Sequence, residues 1–390
     1  MAGTAARSIV TVAAPTPAPC FDVSITRDFS PLATRWDALA TSSQEFPFQG
    51  ASWLDAWYRA FPRDDEITPL IVTVRARGGD LAMVLPLVAR RQRGLQIAEF
   101  ADLNMTDYNA PLIGPAAPTD PAGTTRLWRA LRDALPGIDF MRLKKMPLEI
   151  AGRPNPLLRD AWTSPCVLAG NVVATTDDFD AYRHSLDRHD RKELERSWRV
   201  FTRHAGASFR VIDDRDEALR LLEIMESQQR TRIRELGLTY TLDDETIAAF
   251  YRSLIADGLP RGHVVMTALA CGEETVAALL GVRNAHRYNM IRISNAGAQW
   301  SNCSPGRLVI GRTMDHLHAH GIRIFDFGVG TYAYKRRFGV RPLPLVDLTV
   351  GLTWRAAPAV ARERAIQALR KWPALDQRVR RAMGQTPERD

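Results

Sequence analysis

The segment that decides the fold runs from residue 288 to residue 338 and reads YNMIRISNAGAQWSNCSPGRLVIGRTMDHLHAHGIRIFDFGVGTYAYKRRF. Its pattern predicts a strand over 286–294, a helix over 305–320 and a final strand over 322–327. Gly321 ends the helix, because glycine readily adopts the conformation found just beyond helix C-termini. A loop rich in aromatic and basic residues follows the last strand.

The residues before this segment predict helices followed by an antiparallel meander. The helices are expected over 216–236, ending at Gly237, and over 243–255. Strands are predicted over 263–271 and 275–284, with Gly272 opening the turn between them. The C-terminal half therefore has the order helices, meander, helix and strand.

An earlier helix combines an apolar face with a row of cations. Leu194, Trp198 and Phe201 lie at i, i+4 and i+7 and so share one face. The cations on another face are Arg188, Lys192, Arg196, Arg199 and Arg203. Two interpretations stay open: a solvated face balanced by neighbouring acidic residues, or a surface that binds an anion.

The N-terminal half shows a coarser version of the same order. A helical stretch contains Trp53, and a Gly-Gly turn separates β-rich runs at 68–74 and 81–88. The next elements are a strand over 95–100, a helix over 124–135 and a strand over 140–143. This repetition predicts a duplicated domain.

Length and composition favour two domains with short additions at both ends. A chain of 390 residues is long enough for two domains. We predict a disordered N-terminus over 1–20 and an N-terminal lobe over 21–165, ending in a proline-rich boundary. A C-terminal lobe over 166–352 and a basic helical tail over 353–390 follow. The tail is interpreted either as a helix packed on the domain or as an amphipathic helix on an anionic membrane.

Charge and cysteine usage restrict the class of partner and the cell compartment. The net charge of +8 favours CoA phosphates, a phosphorylated substrate, anionic lipid or nucleic acid, although many proteins are basic without a specific partner. The four cysteines show no metal-ligand or disulfide spacing. Without an apolar run long enough to span a bilayer, the sequence predicts a cytoplasmic protein, with peripheral contact at the inner membrane as an extension.

Two short motifs have the chemistry of a binding site. In the first, Ser304-Pro305-Gly306 opens a helix, whose free N–H groups and dipole can hold a phosphate. The residues expected there are Asn302, Ser304, Gly306 and Arg307. The second is Asp326-Phe327-Gly328; a kinase metal site is rejected because no glycine-rich loop, strand lysine or His-Arg-Asp loop accompanies it. His316 and His320 lie one turn apart without an acidic or cysteine partner, so no metal is expected.

The order and spacing of these features resemble the BioF2-like, or CelD-like, acetyltransferases of the GNAT superfamily. The matching features of the C-terminal half are the Arg188–Arg199 helix, Gln228-Gln229-Arg230, the meander, Ser304-Pro305-Gly306, Asp326-Phe327-Gly328, Tyr334-Lys335 and Phe338. Those of the N-terminal half are Trp53, Trp57, Leu85-Pro86-Leu87 and Asp107-Tyr108. The turn over 302–307 lacks the paired small residues of the usual GNAT phosphate loop.

The resemblance implies an α/β (α+β) fold of two tandem GNAT-like lobes, as in FemAB-type peptidyltransferases. Each lobe would hold a mixed, mostly antiparallel twisted sheet flanked by helices. Acyl-CoA would be the co-substrate, with pantetheine between the splayed strands 286–294 and 322–327. The expected donor-binding residues are Ile291, Arg292, Ile293, Asn302, Ser304, Gly306, Arg307 and Lys335.

Acyl transfer to an amine needs a base, an oxyanion donor and an acid for the leaving thiolate. Asp326 is the predicted base, and Tyr332 or Tyr334 the predicted acid. A backbone N–H near Ile291 would hold the thioester oxygen. The expected substrate-binding residues are Arg188, Lys192, Gln229 and Arg336.

Three functions stay open at this stage. The first is an acyl-CoA-dependent N-acyltransferase acting on an amine of a small molecule, a sugar or a cell-envelope precursor. The second is a FemAB-like transferase that uses aminoacyl-tRNA. The third is a non-catalytic GNAT-fold module that binds an anionic ligand or membrane. DNA is not expected as a partner, and the sequence does not predict the acceptor, the acyl length or the oligomeric state.

Overall fold

The computed structural model describes residues 21–33, 36, 46–62, 66–235, 243–330 and 332–370. Three predictions concern residues outside these ranges: the disordered N-terminus over 1–20, the helix end at Gly237 and the tail beyond residue 370.

The described strands form two large sheets and one small hairpin. In chain order they are β1 (Phe21–Thr26), β2 (Ile67–Ala76), β3 (Leu81–Gln92), β4 (Leu95–Phe100), β5 (Leu112–Ile113), β6 (Phe140–Pro147), β7 (Glu149–Ile150), β8 (Arg153–Pro154), β9 (Thr163–Pro165), β10 (Gly170–Ala174), β11 (Ala207–Ile212), β12 (Val264–Cys271), β13 (Glu274–Arg283), β14 (Arg287–Asn295), β15 (Ile324–Val329), β16 (Arg341–Leu343) and β17 (Leu345–Gly351).

Helices cover the two large sheets. They are α1 (Ala51–Ala60), α2 (Pro121–Ala134), α3 (Phe179–Ser185), α4 (Arg188–Phe201), α5 (Arg215–Glu235), α6 (Glu245–Gly258), α7 (Pro305–Ala319), α8 (Ala333–Arg336) and α9 (Ala357–Arg370). Short 3-10 turns occupy Pro47–Gln49, Ala298–Cys303 and Trp354–Ala356.

The first sheet has the order β1-β2-β3-β4-β6-β17-β9, with β5 on the side of β3. Its β2–β3 hairpin turns at Gly79, whose φ of 89° a glycine adopts without strain. The helix α2 begins where the Asp120 side chain accepts a hydrogen bond from the Gly123 N–H at 2.8 Å. This helix connects β4 to β6, which pair in parallel.

The second sheet repeats this arrangement with the order β11-β12-β13-β14-β15-β10-β16. Strands β11 to β14 are antiparallel, and α7 connects β14 to the parallel strand β15. Each sheet therefore contains an antiparallel pair, a crossover helix and a parallel strand. This architecture of two mixed sheets flanked by helices confirms the predicted fold class.

The strand β17 lies inside the range predicted for the C-terminal lobe, 166–352, and joins the first sheet. It pairs with β6, where Leu348 lies opposite Leu143, and with β9. The chain thus returns to the first sheet after completing the second lobe. Leu348 and Val350 of this strand are both buried.

The two lobes share one hydrophobic core. The α1 indole of Trp53 lies edge-on to the α6 ring of Phe250, with centroids 5.0 Å apart. Trp57 and Met266 are fully buried in the same cluster. The pair of lobes is consequently held by apolar burial as well as by the polar contacts described next.

Candidate active site

A wedge opens between β14 and β15. The two strands pair only where Arg287 to Asn289 face Ile324 to Asp326. Beyond that point β14 continues to Asn295 along β13 alone. Met290 faces Gly281 and Arg292 faces Leu280, so Ile291 has no partner residue in β13. Such a bulge bends a strand and interrupts its ladder, which here turns β14 away from β15.

A buried ion pair lies at the closed end of the wedge. Asp326 accepts hydrogen bonds from the Arg287 guanidinium at 2.7 Å, the Tyr108 hydroxyl at 2.7 Å and the Gly328 N–H at 2.8 Å. Burial raises the pKa of this carboxyl, and its three donors oppose the change. Asp326, the predicted base, is only 1% exposed, and its hydrogen bond from Tyr108 joins the two lobes.

A second carboxyl, Asp107, lies nearer the mouth of the wedge and is partly exposed. Its side chain rests on Gly328, and the Val329 N–H donates a hydrogen bond to it. Burial, and next the charge of Asp326, raise the pKa of Asp107 to about 6, while Lys145 and Lys335 oppose the rise. A carboxyl with such a pKa can accept a proton at neutral pH.

Sequence reasoning missed Asp107 as a site residue. Its only signal was the Asp107-Tyr108 pair, which matched a family feature without indicating a role. The adjacent Tyr108 meets Asp326 across 218 positions of the chain. No local pattern predicts such a contact, so the site depends on how the lobes pack.

A buried lysine holds the aromatic-basic loop after β15 through hydrogen bonds to backbone carbonyls. Lys335, predicted to hold a phosphate, is buried and donates to the carbonyl of Val329 at 2.8 Å and to those of Gly328 and Gly330 at 3.3 Å. Its charge therefore stabilises the end of β15.

The two candidate acids lie on this loop. Tyr332 is 62% exposed, and its ring stacks on that of Tyr334 with centroids 6.1 Å apart. Burial raises the pKa of Tyr334 to about 12. Tyr334 is thus protonated at neutral pH, and a phenol hydroxyl can donate a proton.

In the predicted phosphate-binding turn, carboxylates of α4 partly neutralise the charge of the arginine. The Arg307 guanidinium donates to Glu193 of α4 at 2.7 Å and lies 3.6 Å from Asp190. The hydrogen bond from Arg307 lowers the pKa of Glu193. Ser304 has φ 46° and makes no side-chain cap bond, and Gly306 lies over Ile293 of β14. The helix N-terminus therefore lies beside the wedge, but its arginine already has carboxylate partners.

Some of the other predicted residues hold β14 in place, and the rest lie on the surface. Gln229 donates to the Ile293 carbonyl at 2.8 Å and accepts from Arg292 at 2.6 Å. Arg292 also lies 4.8 Å above the Tyr251 ring. These contacts hold β14 in place. The exposed members of the predicted set are Arg188, Lys192, Asn302 and Arg336.

Across the residues that the structure describes, no group of three or more histidine, cysteine or acidic side chains is placed to hold a metal. His318 instead bonds the Thr176 carbonyl at 2.8 Å. No helix within the described ranges is long and apolar enough to cross a bilayer.

Residues 188–336 match the family model described as Acetyltransferase (GNAT) domain. This range contains the whole wedge, α4 and the loop that carries Lys335. The segment is therefore similar to GNAT acetyltransferase domains. No curated protein sequence matches the chain.

Solved structures share the fold over most of the chain. The crystal structure of FemX is 11% identical, with 80% of this chain and 95% of FemX covered and a TM-score of 0.56. L-PGS from Bacillus licheniformis is 9% identical, with 84% and 95% covered and a TM-score of 0.50. A protein of unknown function from Bacteroides thetaiotaomicron VPI-5482 is 10% identical, with 85% and 100% covered and a TM-score of 0.50. At these identities the likeness concerns the fold.

Proposed function

We propose that the protein transfers an acyl group from acyl-CoA to an amine of a small molecule, a sugar or a cell-envelope precursor. The observation that carries this proposal is the Asp107 carboxyl, with a pKa raised to about 6, at the wedge of a GNAT acetyltransferase domain. The position of this carboxyl supports a role as base, because it lies against Gly328, beyond the residues at which β14 and β15 pair.

The chemistry uses groups on both lobes. The thioester lies in the wedge, and the N–H of the bulged Ile291 donates to its oxygen as the tetrahedral intermediate forms. The amine nitrogen forms the new C–N bond and its proton passes to Asp107. The C–S bond then breaks, and Tyr332 or Tyr334 protonates the departing thiolate. The Arg287–Asp326 pair positions Tyr108, and thereby its neighbour Asp107, across the lobe interface.

The test combines binding with turnover. Acyl-CoAs of increasing chain length should raise the melting temperature of the wild-type protein, because a ligand that binds only the folded state stabilises it. Asp107→Asn should bind acyl-CoA with unchanged affinity and lose thiol release in the presence of amines. No thermal shift with any acyl-CoA would overturn the proposal.

Arg307 offers a finer test of where CoA phosphate lies. Arg307→Ala should weaken CoA binding by removing the cation at the α7 N-terminus. Glu193→Gln should do the opposite, since it releases Arg307 from a partner 2.7 Å away. Equal affinities in both variants would remove Arg307 from the site.

A second candidate is a FemAB-like transferase that uses aminoacyl-tRNA. It is favoured by the pairing of Arg307 with two carboxylates and by five exposed cations along and just beyond α4. These are Arg188, Lys192, Arg196, Arg199 and Arg203. Tight tRNA binding that weakens steeply with salt, together with no CoA binding, would replace the first proposal by this one. A protein that binds anionic vesicles through α9 but neither donor would instead act as a non-catalytic module at the inner membrane.

A further inference from the structure

A large cavity lies on the side of α7 that faces away from the sheet. It measures about 470 Å³ and is bordered by the α3–α4 hairpin and the outer face of α7. Aromatic and aliphatic side chains line most of it, among them Tyr182, Leu194, Trp198 and Phe338. Its volume falls within the range of small-molecule sites.

Gly311 of α7 lies on the floor of the cavity. A Cβ built on Gly311 would make ordinary van der Waals contact with Leu194 of α4, its nearest neighbour at 3.8 Å, so a small side chain fits here without a clash. The opposite wall is fixed by the Tyr182 hydroxyl, which donates to the Phe338 carbonyl at 3.0 Å. The opening is consequently part of the packing of these helices.

The charges around the cavity are predominantly positive. Four arginines line it, against the carboxylates of Glu195 and Asp315: Arg183, Arg191, Arg199 and Arg312. The Arg312 guanidinium lies 3.8 Å above the Trp198 ring and 3.5 Å from Asp315. Burial, and also the charge of Arg183, lower the pKa of Arg312. Two guanidinium groups thus face one partly desolvated space, where an anion would reduce their repulsion.

We propose that this cavity binds a small amphiphilic anion. An apolar body, aliphatic or aromatic, would lie against Trp198 and Phe338, and a single carboxylate or phosphate would pair with Arg312 and Arg183. The site is separate from the wedge, because Gly306 marks the wedge side of α7 and Gly311 the cavity side. The inference does not depend on the acyl-transfer reaction.

The experiment measures binding of decanoate, decyl phosphate and neutral decanol by calorimetry, with Trp198 fluorescence as a second signal. Arg312→Gln should weaken both anions about tenfold, the usual effect of losing a charge-assisted hydrogen bond, and leave decanol unchanged. Gly311→Leu should abolish binding of all three, because its side chain fills the space while remaining compatible with a helix. Arg220→Gln, an exposed cation of α5 outside the cavity, serves as the matched control.

Several results would overturn the proposal. They are no binding of either anion to the wild-type protein at about 1 mM, equal affinity in Arg312→Gln, or retained binding in a folded Gly311→Leu. Displacement of decanoate by saturating acetyl-CoA would also overturn it, by assigning the cavity to the donor site. The relative affinity of the two anions identifies the natural head group as a carboxylate or a phosphate. Because no turnover is measured, failure here leaves the acyl-transfer proposal untouched.

Discussion

Replacing Asp107 by asparagine keeps the shape of the side chain and removes a negative charge. That charge lowers the stability of the folded protein, because burial disfavours the ionised carboxyl. The pKa of this carboxyl is about 6 in the folded protein, against an ordinary value of 3.8. Each pKa unit corresponds to about 1.4 kcal/mol, so the ionised form is disfavoured by up to about 3 kcal/mol. We therefore expect Asp107→Asn to stabilise the protein at pH 7 by about 1–3 kcal/mol.

The sign of the pH dependence follows from the raised pKa. The folded protein holds the Asp107 proton more tightly than the unfolded chain does, so its stabilising contribution is complete below about pH 4. The contribution is lost as the pH rises through about 6. The stability difference between variant and wild type should hence be small at pH 4 and reach its full size above pH 7.

Activity should change in the opposite direction. Loss of a general base typically lowers kcat by about 10²–10⁴-fold. The wild-type kcat/KM should rise with pH to about 6 and then level off, and Asp107→Asn should lack this rise. Urea unfolding followed by tryptophan fluorescence gives the stability, and thiol release from acyl-CoA gives the rate.

A surface substitution provides the control for both measurements. Asp133→Asn on α2 removes an exposed carboxylate and should leave stability and rate nearly unchanged. If Asp107→Asn were less stable than the wild type at pH 7, or kept its full rate, the assignment of Asp107 as a desolvated base would be wrong.

Three further predictions concern the lobe interface. Asp326→Asn leaves Arg287 buried without its counter-charge and should cost about 3–5 kcal/mol in urea unfolding; a loss below about 1 kcal/mol would contradict the buried ion pair. Gly328→Ala places a Cβ against the Asp107 carboxylate at a φ of 70°, so kcat should fall while the melting temperature drops modestly; unchanged kinetics would refute the contact. Trp53→Ala should cost about 3–5 kcal/mol and keep a single unfolding transition, whereas two separated transitions would show that the lobes do not share a core.

The segment over 288–338 shows how far local patterns reach. Periodicity, Pro305 and Gly321 predict a strand, a helix and a strand, and the structure has β14, α7 and β15 at these places within two residues. The Gly78-Gly79 turn likewise predicts the β2–β3 hairpin. Such signals depend on neighbours a few positions away, so one sequence contains them completely.

Local sequence patterns do not predict contacts between elements that lie far apart in the chain. The predicted phosphate ligand Arg307 is paired by Glu193 and Asp190, which lie on a helix more than a hundred positions earlier. From the sequence, the acidic residues of α4 were interpreted only as neighbours that balance the cations of the same helix. Which of them meets α7 depends on the packing of the two helices, because the strength of a charge pair depends on the distance that this packing sets.

The sequence by itself determined the elements, their order and the duplicated plan, because turns, caps and hydrophobic periods are short-range properties of the chain. Only the tertiary structure decided that β17 returns to the first sheet and that Asp107 stands over Gly328. It also buried Asp326 with Tyr108, 218 positions away. A carboxyl acquires its pKa from the solvent it loses and the charges it approaches, and both are set when the lobes pack together.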